Sequence, residues 1–184
     1  MKEAFTRKSL LILGRGIGQV MFQNNALSGL LMLIGIFLNS WQMGLLAVSG
    51  NIISTSTGRI SGYDRDDIKN GLYGFNGTLV GIAVGVFMHL TVNSLILMAI
   101  ASCASTYIAR FFNMQRMLPG FTTLFILSVW MLLGLCSWLM PDMLLVSDTE
   151  TPASSSINYL QCFSMSIGQV MFQGNMMTGL FFLA

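Results

Sequence analysis

The chain has 184 residues, of which 54% are hydrophobic and 9% charged, against about 25% charged in an ordinary soluble domain. A mean hydropathy of +0.71 points to a polytopic membrane protein, and the scattered basic residues form no stripe that nucleic acid could use. Cys103, Cys136 and Cys162 lie far apart, His89 is the single histidine, and no carboxylate falls inside an apolar run. These residues assemble no disulfide framework, metal site or catalytic triad, so neither an enzyme nor a cofactor-dependent protein is expected.

Residues 1–16 are basic, with a short apolar centre interrupted by Arg15, and read as a cytoplasmic lead-in on the membrane surface rather than a signal peptide. A stretch that occurs twice follows. Ile17-Gly18-Gln19-Val20-Met21-Phe22-Gln23 returns letter for letter as Ile167-Gly168-Gln169-Val170-Met171-Phe172-Gln173, and Asn25 and Gly29 return as Asn175 and Gly179. The constant offset of 150 residues (17 to 167) is far beyond a solenoid period and marks two large halves. The amides and the aromatic ring in this repeat are either an interfacial cap or part of a functional site. Their exact recurrence favours function.

Apolar segments are expected at 26–38 and 41–53, then a solvated charged loop at 59–69, then spans at 71–90, 91–109 and 118–140. The 110–116 loop is basic. The 141–156 connection carries Asp142, Asp148 and Glu150 with no basic residue, and places itself outside by the positive-inside rule. Five crossings between the repeats put the two copies on opposite faces, an inverted-repeat plan with a solute site near the midplane. The expected divisions are the lead-in at 1–16, a first repeat at 17–140, an extracytoplasmic connection at 141–156, and the start of a second repeat at 157–184. The second repeat is incomplete at Ala184, so the chain is expected to be a piece of a longer reading frame or a truncated, non-conducting product.

Within the spans, Gly77, Gly81 and Gly85 recur at every fourth position and predict close helix packing. Asn76 beside them has no such explanation, since a buried amide costs several kcal/mol unless something in a cavity pairs with it. Leu118-Pro119-Gly120-Phe121-Thr122 opens the last span either as an ordinary helix start or as a half-helix that begins within the membrane. Without acidic residues in the spans, proton or sodium coupling is not expected.

Three motifs, Gln19-Val20-Met21-Phe22-Gln23-Asn24-Asn25, the glycine-rich 71–81 segment around Phe75-Asn76-Gly77-Thr78, and Leu118-Pro119-Gly120-Phe121-Thr122, resemble the urea transporter family of bacterial and vertebrate urea channels. The resemblance covers essentially the whole chain, although Leu124 stands where the family has a proline. It implies an all-α fold of two inverted halves, each with five transmembrane helices and a re-entrant half-helix. It also implies homotrimers in the cell (inner) membrane, with one pore per subunit. Gln19, Phe22, Phe75, Leu79 and Thr122 are then pore-lining, with Gln169, Val170 and Phe172 as second-half counterparts, and Asn76 joins them as a candidate substrate contact. The implied function is passive urea permeation through an aromatic slot with a ladder of oxygens. Another small neutral solute, an amide or ammonia, is the alternative.

Overall fold

The computed structural model describes residues 2–115, 122–145 and 159–183, so 118–121 of the last motif and 146–156 of the acidic connection lie outside it. The described residues form nine helices. They are α1 (Lys2–Gly18), α2 (Ala26–Asn39), α3 (Trp41–Ile60), α4 (Arg65–Lys69), α5 (Gly74–Phe87), α6 (Val92–Gln115), α7 (Thr123–Leu139), α8 (Tyr159–Gly168) and α9 (Met176–Leu183). The only β pairing among these residues is an isolated bridge between Met88 and Leu144. The fold is all-α, as the resemblance implies.

Helix ends follow from local chemistry. Ser40 terminates α2 through its amide, which donates to the Ile36 carbonyl (2.8 Å), and starts α3 through its hydroxyl, which accepts from the Met43 amide (3.3 Å). Asp64 caps α4 by accepting the amides of Asp66 (2.8 Å) and Asp67 (3.1 Å). Those two donors, Asp67 first, hold its carboxyl below the usual aspartate range. The stretch expected as a simple solvated loop thus contains a capped helical turn, anchored by buried Ile68.

Residues 2–16 of the expected lead-in lie within α1, which packs along α2. The chain breaks between them, and the two helical arms, Lys8–Met21 and Ala26–Asn39, meet at 77°.

The centre is α5, buried at every position from Gly74 to Val84 among α1, α3, α6 and α7. Its closest neighbour is α3. A β-carbon on Gly77 would meet the Gly50 carbonyl and one on Gly81 the Leu46 carbonyl, so the two backbones touch where the glycine spacing predicts. Gly85 is looser and faces the end of the Leu46 side chain.

The expected spans correspond to α2, α3, α5, α6 and α7, but their lengths differ from expectation. Among the described residues, by length and composition, one helix, Val92–Phe112, can cross a membrane unaided, and the bent pair would add a second if it were one broken span. The 71–90 span shrinks to α5. Gly71, at φ +77° against the backbone of Gly16, makes a turn before it, and the bridge at Met88 ends it.

The ends of the bundle differ in charge. The N-terminal cations meet the 59–69 segment where Arg15 Nη1 donates to the Lys69 carbonyl (3.2 Å), and Arg110 lies 5.2 Å over the Tyr63 ring. The start of the acidic connection lies at the far end of α5, where the His89 amide donates to Met143 and the Leu145 amide to Phe87 (both 2.9 Å).

Candidate functional site

The candidate site residues fall on two elbows and the helix between them. In the first, the Phe22 amide donates to the Gln19 carbonyl (2.9 Å) and the Gln23 amide to Gly18 (3.0 Å), closing a 3-10 turn. Asn25 Oδ1 then accepts from the Leu27 amide (2.9 Å) to start α2. In the second, Phe172 donates to Gln169 and Gln173 to Gly168 (both 3.0 Å), and Asn175 Oδ1 accepts from Met177 (2.8 Å). Both phenylalanines are left-handed, Phe22 at φ 58° and Phe172 at φ 56°. The sequence repeat is therefore a structural repeat. Both of its asparagines cap the helix that follows.

The elbows lie at opposite ends of α2. The first precedes Ala26 and is tied to the turn before α5: Gln19 Nε2 donates to the Asn70 carbonyl (3.0 Å) and Asn24 Nδ2 to Asn70 Oδ1 (3.1 Å). The second reaches the other end, where Asn39 Nδ2 donates to Gln173 Oε1 (2.7 Å) and Phe172 meets Phe87 edge-to-face at 5.6 Å. Further along, Thr178 Oγ1 donates to the Gly35 carbonyl (2.9 Å). Gln173 is 0% exposed, whereas its counterpart Gln23 is exposed. The two copies keep one backbone in different surroundings.

Between the elbows runs α5, whose 14 residues span about 20 Å at 1.5 Å each. Phe75 (9% exposed) and Leu79 (1%) sit in the main hydrophobic cluster with Val20, Met171 and, at its edge, Phe172. The structure thus brings Phe75, Leu79 and Phe172 to one cluster. Gln19 is placed at the start of α5 and Phe172 at its end. Phe22 is 68% exposed, Val170 and Gln169 are exposed, and Thr122 is half-buried as the cap residue of α7 without a side-chain cap bond.

Asn76 is 0% exposed, and neither its Nδ2 nor its Oδ1 has a hydrogen-bond partner among the described residues. Its polar neighbours are satisfied. Asn51 Nδ2 donates to Thr78 Oγ1 (2.9 Å) and to the Leu13 carbonyl (3.3 Å), and Thr78 Oγ1 donates to Gly74 (3.0 Å). Ser54 Oγ donates to the Tyr73 carbonyl (2.8 Å) and stands 2.6 Å from Thr106 Oγ1. These ties, which sequence reasoning missed, lock α1, α3 and α6 onto α5 and leave one amide unused. Small hydroxyls and an amide recurring on one face of α3, at Asn51, Ser54 and Thr55, were the available signal.

A family profile described as Urea transporter matches residues 10–184. The chain belongs to the urea transporter family. Membership makes it an integral membrane protein. Among curated relatives, urea transporter 1 of Mus musculus is 41% identical over 75 residues, 41% of this chain and 20% of the relative. The Rattus norvegicus protein of that name is 42% identical over 73 residues, 40% of this chain and 19% of the relative. The Ovis aries one is 40% identical over 73 residues, with the same coverage. The matched segment spans about a fifth of these relatives' length.

Proposed function

We propose that this urea transporter chain contributes the wall of a passive urea pore that follows α5 from Gln19 to Phe172. The observation that carries the reading is Asn76, fully buried with both amide groups unpaired among the described residues, next to Phe75 and one turn before Leu79. An unsatisfied buried amide costs about 1–3 kcal/mol, and a fold retains such a group where a passing solute uses it. Urea is planar and neutral; it donates and accepts in its own plane, and its faces tolerate apolar walls. Phe75, Leu79 and Phe172 supply such walls, and the Asn76 amide supplies a matched donor and acceptor. No charged side chain lies on α5, so an ion shedding its hydration shell finds no compensation.

The same reading takes the two elbows as inverted copies, because they sit at opposite ends of α2. It places the basic end of the bundle, with the N-terminus, in the cytoplasm. Gln19, Phe22, Thr122, Gln169 and Val170 complete the pore wall, and three subunits assemble in the cell membrane.

Stopped-flow urea flux into proteoliposomes tests the reading. Asn76→Ala and Phe75→Ala each lower flux roughly tenfold, the value of one hydrogen bond or aromatic contact in a barrier. Asn76→Ala also melts within a few degrees of the parent, because the cavity it opens is offset by removal of the unpaired amide. Unchanged flux in a folded Asn76→Ala protein would refute the assignment.

A further inference from the structure

The basic end of the bundle holds a cleft that the pore does not use. It has a volume of about 580 Å³ and is walled by α1, the last turn of α3 and α4. Lys8 and Arg15 come from α1, Arg59 from α3, and Arg65 and Lys69 from α4, over a floor that includes Leu11, Ile12 and Ile68. Two of the acidic groups nearby are already engaged. Asp66 pairs with Lys69 (2.8 Å), and Asp64 accepts the amides that cap α4. Burial and the neighbouring Asp64 push the Asp67 carboxyl above its usual range. Among the described residues, Lys8, Arg15, Arg59 and Arg65 stand in no ion pair. Four cations converging on one concavity repel one another until an anion enters.

Beside this cleft, and sharing Leu11 with it, runs an apolar groove of about 440 Å³ between α1 and α2. Leu10, Leu13, Ile17, Leu27 and Leu30 line it, and Leu10 and Leu27 are each 63% exposed. A cationic cavity adjoining an apolar groove is complementary to an amphiphile with an anionic head and a hydrocarbon tail. Basic pockets between membrane helices bind anionic lipid headgroups on these terms.

We propose that this composite site binds one anionic phospholipid, with its phosphate among Lys8, Arg15, Arg59 and Arg65 and an acyl chain along Leu10, Leu27 and Leu30. Because α1 leads directly into the first elbow, occupancy fixes the arm that carries Gln19. The proposal is independent of what the pore conducts.

The test titrates the detergent-solubilised protein with dioctanoyl phosphatidylglycerol, dioctanoyl phosphatidylcholine and inorganic phosphate, reading melting temperature and the lipid adducts retained in native mass spectrometry. Phosphatidylglycerol raises the melting temperature and stays bound; the other two do neither at equal concentration. Arg59→Gln/Arg65→Gln weakens phosphatidylglycerol binding about 25-fold, since each cation near a headgroup contributes comparably. Arg110→Gln, whose guanidinium rests on Tyr63 outside the cleft, leaves binding intact. If the double variant does not fold, Lys8→Gln replaces it, with a loss of about fivefold. Equal stabilisation by phosphatidylcholine, an equal response to inorganic phosphate, retained affinity in the variants, or an equal loss in Arg110→Gln would each overturn the site.

Discussion

Phe22 holds φ 58° and ψ 23° with a side chain that is 68% exposed, a conformation that costs a residue bearing a β-carbon about 1–2 kcal/mol. Glycine would sit there without that cost. Phe22→Gly is therefore expected to relieve that backbone cost while giving up the ring's contacts, and to lower urea flux if the ring lines the pore. Phe172→Gly is expected to lower stability, read as a lower melting temperature. That ring packs edge-to-face on Phe87 and on the main cluster, an aromatic pair worth about 0.5–1.5 kcal/mol beyond the area it buries.

At the scale of elements, the α3–α5 contact decides how far α5 is enclosed. Gly77→Ala would drive a methyl into the Gly50 carbonyl and the Ser54 β-carbon, so a loss of about 1–3 kcal/mol or more is expected. Gly134 in α7 has open space around its would-be β-carbon, and Gly134→Ala is expected to gain up to about 1 kcal/mol from helix propensity. Thermal melts of both variants in one detergent check the contrast. Glycine spacing made this contact legible in advance, because period-four small residues have few other uses in an apolar helix. Asn76 was legible as an anomaly for the same reason. The 77° break after α1 was not legible, since an apolar periodicity cannot report a left-handed phenylalanine inside it. Nor was the tie between Asn39 and Gln173, whose partners are 134 residues apart. The recurrence of Asn25 as Asn175 read as function, and both residues also cap a helix, because an exact repeat preserves local backbone chemistry as faithfully as it preserves a site.

For the whole molecule, the second elbow docks on the rest through few polar bonds. Asn39 to Gln173 and Thr178 to Gly35 are the main ones, beside the Phe87 ring. Asn39→Ala strands the buried Gln173 oxygen and is expected to cost about 1–3 kcal/mol of docking. Hydrogen exchange should then quicken across 172–183 while α3 and α5 stay protected, and uniform exchange everywhere would show that the segment is not a separable unit. Each elbow closes its own turn with bonds drawn from eight consecutive residues, Gly18 to Asn25 or Gly168 to Asn175, and the capped helix that follows. Such a motif carries its own folding instructions. Copying the gene segment copies the shape, whichever leaflet receives it, and the surroundings are then free to diverge. Gln23 in the open and Gln173 sealed inside are that divergence: one inherited backbone given two separate histories.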